Sequence, residues 1–209
     1  MANEASSAAY SGRASEYIEL LGSMRSVHPS DLQIVSAWAG GVEGVLIDAG
    51  CGPGHWTNFL AEQGSSARGI DQVPEFIDHA AMTFPAVAFA VGSIDSVDAA
   101  TASVGGVLSW YSLIHYEPGT IQGPLREFSR VLRPGGTLLV GFFEGDAVEE
   151  FAHAVAPAYR WSVDALSTEL DRAGFDVLES HVRKTVGERS QATVRAVNRG
   201  QWSRLSESN

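Results

Sequence analysis

"VLIDAGCGPGHW", residues Val45–Trp56, decides the fold. Its apolar run meets an acid, Asp48, and then turns through glycines at alternate positions, Gly50, Gly52 and Gly54. A continuous apolar run suits a strand of a sheet covered on both faces. A helical pattern follows, with Trp56, Phe59 and Leu60 at i, i+3, i+4 spacing, and Gly64 ends it. A strand that feeds a helix through a glycine-rich loop brings backbone N–H groups and a helix N-terminus beside a ligand. The dinucleotide fingerprint G-x-G-x-x-G, read from Gly50, requires glycine at a position where this chain has His55. The loop reads G-x-G-x-G instead, and Pro53 and Trp56 crowd the place of a pyrophosphate.

The rest of the chain alternates short β-rich runs with helical periodicity, the pattern of a sheet with crossover helices. Helices are expected at residues 14–22, 30–39, 54–63, from Pro74 onward, 121–132 and 163–173. The second opens at Ser30 with Asp31 in its first turn, where the helix dipole favours an anion. "RPGG", residues 133–136, is the expected stop of the 121–132 helix. Strands are expected at 44–49, 67–71, 86–91, 105–110, 137–143, 175–182 and 191–198, and residues 1–9 read as loose. Eight residues between the last two strands are too few for a βαβ crossover, so the last strand runs antiparallel. The expected fold is α/β: a Rossmann-like, doubly wound, seven-stranded sheet, mostly parallel with an antiparallel last strand and helices on both faces.

A chain of 209 residues fits a single domain, residues 1–209, and its 44% hydrophobic and 19% charged residues are those of an ordinary globular protein. A net charge of −11 argues against broad contact with nucleic acid, which needs clustered Lys and Arg. Six basic residues (Arg183, Lys184, Arg189, Arg195, Arg199, Arg204) against two acidic ones (Glu188, Glu207) follow residue 180, and read as a solvated rim rather than a basic edge. No apolar run approaches the roughly 20 residues of a membrane span, and "MANEASSAAYSGR" lacks the basic start and apolar core of a secretory signal. With Cys51 as the single cysteine, these features place the chain in the cytoplasm. His28, His79 and His181 are scattered, and no ligand-spaced cluster appears, so no metal is expected.

Asp71, 21 positions beyond Gly50, ends the second expected strand, where an acid can accept both hydroxyls of a ribose. Dinucleotide enzymes place an acid similarly, so the spacing alone means only an adenosine-like ligand. The ordered set "VLIDAGCGPG", "ARGIDQVPEFIDHA", "FAVGSIDSV", "VLSWYSLIHY" and "LREFSRVLRPGGTLLVGFF", closed by the terminal hairpin, resembles class I S-adenosylmethionine-dependent methyltransferases over about residues 10–198. The resemblance implies S-adenosylmethionine as cofactor and S-adenosylhomocysteine as product. It places Gly50, Cys51, Gly52 and Gly54 along the methionine half and ribose. Asp48 orients the loop or reaches the amino group through water, Asp71 takes the ribose diol and Gln72 flanks the adenine. Ser93 and Ile94 lie over the adenine edge, although the family often has Asp where Ser93 stands. Ser109 and Trp110 close on the methionine end. "YSGRASEYIELLG" resembles the family's lid, with Tyr10, Arg13 and Tyr17 meeting the cofactor or substrate; the alternative is an amphipathic helix with Tyr17 packed on the core. The implied regions are an N-terminal helical lid (1–43), a cofactor-binding half (44–144), a substrate-side half (145–199) and a tail (200–209).

Open α/β sheets bind ligands beyond the carboxyl ends of their strands, so "SWYSLIHYEP", residues 109–118, is the expected acceptor region. His115 has the pKa range of a base near neutral pH, or else packs in the loop. Tyr111 and Tyr116 are expected to shape the pocket, with one of the two as ordinary packing; Tyr159 and Trp161, and also His153 and Arg160, from the family's specificity segment at 142–161, either form a lid wall of that pocket or pack on the surface or in the core. His55 is expected to face solvent and Cys51 to fill a tight loop. Enzymes that methylate nucleic-acid bases or glutamine carry (Asn/Asp)-Pro-Pro-(Tyr/Phe) where this chain has Ser109–Ser112. The expected function is methyl transfer to a small-molecule acceptor by a monomer or homodimer. The alternatives are a non-catalytic binder of the same cofactor and a nicotinamide oxidoreductase.

Overall fold

The order of the strands reverses in the middle of the sheet, and that reversal positions everything else. The computed structural model describes residues 2–200, with side chains from Ser6 onward. Its strands are β1 (Val45–Ala49), β2 (Ser66–Asp71), β3 (Ala88–Val91), β4 (Val104–Trp110), β5 (Leu132–Phe143), β6 (Glu149–Phe151), β7 (Ala158–Arg160), β8 (Phe175–Arg183) and β9 (Gln191–Asn198). The helices are α1 (Ala2–Ser11), α2 (Ala14–Leu21), α3 (Pro29–Ala39), α4 (His55–Glu62), α5 (Pro74–Thr83), α6 (Gln122–Val131) and α7 (Val163–Arg172). Seven strands form one sheet in the order β3-β2-β1-β4-β5-β9-β8. β9 alone is reversed, antiparallel to both β5 and β8. The switch between β1 and β4 opens a crevice at the strands' carboxyl ends.

The unbroken apolar runs follow from the two covered faces. Successive strand residues point to opposite sides, and each side meets a helical layer. Ile47, Val107 and Leu138 pack with Leu125 and Phe128 of α6 and Leu166 and Leu170 of α7. Their neighbours Leu46, Leu108 and Leu139 pack with Val35 and Trp38 of α3 and Trp56 and Leu60 of α4. The Trp38 indole N–H donates to Thr137 Oγ1 at 2.9 Å, satisfying the polar atom that this burial would otherwise strand.

Four features depart from the expectations. Residues 2–11 are helical, not loose. α3 starts at Pro29 rather than Ser30, because Pro suits the first helical position and the His28 side chain caps by accepting from Ser30 N. "RPGG" does not stop a helix by a turn: α6 ends at Val131, Leu132 is already extended, and the four residues run inside β5. Pro134 disfavours helical geometry at Arg133, and Leu132 pairs with Val104. Finally, β6 and β7 form a separate antiparallel pair, each too short for a two-residue period to register. The basic residues after 180 are largely partnered: Arg183 with Asp31, Arg195 with Glu179, and Arg199 with Asp171 and Asp176, so no basic edge forms. Arg204 and Glu207 lie outside the described residues. No helix among the described residues is long and apolar enough to cross a membrane.

Phe128 is fully buried between α6 and the sheet. Phe128→Ala is expected to destabilise the fold by about 3–5 kcal/mol, read as a shift in the urea unfolding midpoint at unchanged slope.

Candidate active site

A cavity of about 740 Å³ opens over the carboxyl ends of β1, β2, β4 and β5, within the size range of small-ligand sites. Its floor begins with the glycine loop. The N–H groups of Gly50 and Cys51 both donate to Ile70 O, at 2.8 and 2.9 Å, which fastens the loop to β2. Asp71 completes the join: its Oδ2 accepts from Gly52 N and its Oδ1 from Val73 N, each at 2.9 Å. The Gln72 backbone N–H is a further donor to this carboxylate, and the group lines the cavity.

The three glycines have different reasons to be glycine. All have positive φ, at 81°, 52° and 84°, which disfavours side chains. A Cβ at Gly50 would lie 2.4 Å from Ser112 Cβ, and one at Gly54 would lie 2.7 Å from Ala80 Cβ. At Gly52 the nearest atom would be Tyr17 Cε1 at 4.0 Å, so this residue presents bare backbone to the cavity. Gly50 and Gly54 therefore serve packing, and Gly52 leaves the space a ligand would fill.

Beneath the loop, Asp48 is 1% exposed and accepts the Thr57 hydroxyl at 2.6 Å. Burial pushes its carboxyl up to about 7. Burial also raises Asp71, opposed by its backbone N–H partners, and raises the Cys51 thiol. His55 lines the cavity rather than facing solvent. It follows Gly54, whose left-handed backbone turns the chain inward at the start of α4. Burial lowers its pKa to about 4, and its Nδ1 has no hydrogen-bond partner within the protein.

The opposite wall is assembled from distant segments. His115 Nδ1 lies 2.8 Å from Pro157 O and its Nε2 lies 2.9 Å from Tyr10 Oη. A carbonyl only accepts, so Nδ1 carries the proton and Nε2 accepts from the phenol. Burial holds the imidazole below its ordinary pKa, keeping it neutral. Arg13 holds Glu16 and donates to Ala154 O, tying the N-terminal helices to the 152–157 segment. Ring contacts run round the cavity from Trp56 to Trp110, Tyr111, Phe143, His153, His115 and Tyr10, with centroids 5.1–6.1 Å apart. Tyr111 has a φ of 59°, held by its N–H donating to Gly141 O at 2.9 Å. Gly141 is bare because a Cβ there would fall 2.9 Å from the Trp110 ring.

Residues 46–136, which carry this floor and the turn after β4, match the methyltransferase-domain family. This segment is similar to a methyltransferase domain. The chain is 28% identical over 109 residues to a malonyl-[acyl-carrier protein] O-methyltransferase of Serratia marcescens, covering 52% of this chain and 42% of that protein. It is 24% identical to an uncharacterized methyltransferase of Synechocystis sp., covering 66% of this chain and 69% of that one. The match thus spans less than half the length of the Serratia marcescens relative. Among solved structures, the Burkholderia thailandensis 1,6-didemethyltoxoflavin-N1-methyltransferase, with its acceptor and S-adenosylhomocysteine bound, superposes with a TM-score of 0.73 at 22% identity, covering 91% of this chain and 88% of that one. The [4+2]-cyclase SpnF superposes at 0.70 with 17% identity, covering 82% and 81%. Likeness at these identities is likeness of fold.

Asp48, Gly50, Cys51, Gly52, Asp71, Gln72, Ile94 and Trp110 all line the cavity, as do Tyr10, Arg13, Tyr17, Tyr111, His115 and His153. Gly54 shapes the loop from behind. Ser93 does not reach the wall and bonds locally with Asp95. Ser109 is fully buried, and its hydroxyl meets that of Ser112, which does line the cavity, at 2.8 Å. Three expected pocket residues are corrected. Tyr116 is core, with its hydroxyl donating to Asp95; Tyr159 donates to Glu150 on the β6–β7 hairpin; Trp161 packs in the core beside β5. Arg160 pairs with Glu149 on the same hairpin. Asp31, Phe76, Phe143, Arg183 and Gln191 line the cavity unanticipated. Asp31 and Arg183 stand 152 positions apart, and nothing in either local pattern announces the meeting.

Asp48 yields a pH test. Its folded pKa of about 7 lies above the unfolded value of about 3.9. The stability it contributes is therefore present at low pH and is lost as pH rises towards and through about 7. Asp48→Asn is expected to raise the melting temperature of the ligand-free protein more under mildly alkaline than mildly acidic conditions, as read by thermal denaturation across pH.

Proposed function

We propose that this chain transfers a methyl group from S-adenosylmethionine to a small-molecule acceptor. The observation that carries the reading is the seat itself: an Asp71 carboxylate fixed by two backbone N–H groups beside the side-chain-free face of Gly52. Asp71 would hold the ribose diol, Gly50–Gly52 would follow the methionine half, Asp48 would support the loop from below, and Gln72 and Ile94 would flank the adenine. When bound, the cofactor supplies an electrophilic methyl group on a good leaving group. The chain's task is then mainly to hold donor and acceptor in attack geometry. The methyltransferase relatives and the fold of the toxoflavin-pathway enzyme support the same reading.

His115 is assigned as the general base for an acceptor whose nucleophile carries a proton. Its tautomer is set by Pro157 O, leaving the Nε2 lone pair on the cavity side with Tyr10 as its resting partner. Tyr10 stays neutral because burial raises its pKa. A positioned base adds about 10²–10⁴-fold. Since the competent form is neutral and burial lowers the pKa, turnover is expected to be flat near neutrality and to fall only under acidic conditions, below the ordinary histidine range. A kcat–pH profile that His115→Ala leaves unchanged in shape would remove the base assignment.

The buried cysteine thiol supports a cytoplasmic setting. Two measurements test the function. Incubation with S-adenosylmethionine and a small-metabolite pool is expected to form S-adenosylhomocysteine; a protein that binds but never turns over is the non-catalytic alternative. Asp71→Ala is expected to weaken S-adenosylhomocysteine binding by about 1.5–3 kcal/mol in calorimetry. Tight binding of a nicotinamide dinucleotide without S-adenosylhomocysteine binding would overturn the methyltransferase reading.

A further inference from the structure

The cavity continues past the cofactor loop to a polar cluster that methyl donation does not use. Asp31 from the first turn of α3, Tyr111 after β4, Arg183 at the end of β8 and Gln191 at the start of β9 meet there, and all four line the cavity. The sheet register brings them together, because Gln191 pairs with Phe143 on one side and Arg183 on the other. The glycine loop leaves β1, and β9 and β8 stand three and four strands away. At about 4.8 Å per strand, the cluster lies roughly 15–19 Å along the crevice from the loop.

Its hydrogen bonds fix what it can offer. Arg183 donates to Asp31 Oδ2 at 2.8 Å and also to Gln191 Oε1. Tyr111 donates to the same Gln191 oxygen at 2.8 Å. A guanidinium only donates, so the amide oxygen must face it, and the Gln191 NH₂ is left as a donor. The Tyr111 proton is committed, so its oxygen is left as an acceptor. Tyr111 keeps a φ of 59°, an uncommon backbone for a bulky residue, to stand here. Rings of Trp110 and Phe143 flank it at 5.6 and 5.1 Å.

The positive charge of the cluster is already more than offset. The Arg183 and Asp31 side chains are 20% and 13% exposed, and the Glu188 carboxylate stands 3.9 Å from the same guanidinium. One cation against two carboxylates leaves no unpaired positive charge for an anion. A substrate carboxylate taken into this end would lose its hydration and face Asp31 and Glu188, an unfavourable burial.

We propose that the methyl acceptor is an uncharged, flat ring compound, seated against Trp110, Tyr111 and Phe143, whose polar edge is read by the Tyr111 oxygen and the Gln191 amide. Arg183 is a positioning residue: it holds Gln191 in orientation, and Asp31 cancels its charge. The assignment rests on the methyltransferase reading and narrows it to a class of acceptor. A purely structural ion pair between α3 and β8 would stabilise the chain without setting any preference among ligands.

The test uses two probes with one ring system, 2-naphthol and 2-naphthoate, titrated by calorimetry at neutral pH into the full chain saturated with S-adenosylhomocysteine. The wild-type chain is expected to bind the naphthol at least about ten-fold more tightly, a difference of about 1.4 kcal/mol. Asp31→Asn, which uncovers the Arg183 charge, is expected to shift the preference about ten-fold towards the naphthoate. Glu188→Gln, at a half-exposed position, is expected to shift it the same way by less, and it serves if Asp31→Asn fails to fold. Naphthoate binding as tightly as naphthol, no naphthol binding at millimolar concentration, or a preference that neither variant moves would each overturn the proposal. S-adenosylhomocysteine binding is measured first; its absence would instead overturn the methyltransferase reading.

Discussion

The carboxylate of Asp71 is the constraint on which the site depends. It accepts from Gly52 on one loop and Val73 on the next, so one side chain at the end of β2 fixes the loops leaving two adjacent strands. Ile70 O does the same from the backbone side by taking both Gly50 and Cys51. The loop is thereby held by the chain's own hydrogen bonds, in a left-handed path that only glycines follow easily. Preorganisation of this kind lowers the cost of binding, because ordering need not accompany it.

The acceptor side is built differently. No single strand end supplies it. The turn after β4 carries His115, the β6–β7 hairpin brings Pro157 O, and α1 brings Tyr10. The backbone bond from Tyr159 N to Ile114 O, at 2.7 Å, stitches the hairpin to the turn. Arg13 reaches Ala154 O from the junction of α1 and α2. Each contact is a hydrogen bond between segments outside the main sheet. Such segments open more readily than the strands beneath them, which suits a wall that must admit a ligand.

The contrast explains what could be read from the sequence. The sheet, its reversed last strand and the glycine loop were legible because each rests on local signals: apolar runs, glycine spacing, and a connection too short for a crossover. The place of Asp71 at the end of β2 was legible because only one helix and one strand follow the loop before it. Tyr116, Tyr159 and Trp161 misled because an aromatic residue in a pocket-forming segment looks the same whether it faces the cavity or the core, and here the core claims Tyr116 and Trp161. α1 was missed because small polar residues carry weak periodicity. Asp31, Arg183 and Gln191 had no local signal at all. Their meeting is created by the β5–β9–β8 register and the docking of α3, which pairwise geometry alone determines.

Gly141 gives the cavity an unusual kind of determinant. Lying inside β5 and outside the cavity lining, it receives the Trp110 ring on the side where a side chain would stand, while its carbonyl fixes Tyr111 in a left-handed backbone. The selectivity of the pocket is thus partly encoded by a missing atom in the scaffold. A single methyl group added there would press on the Trp110 ring, the neighbour of Tyr111 in the cavity wall. In a diverging lineage, exchange at this one strand position would redraw substrate range while every residue touching the substrate kept its identity.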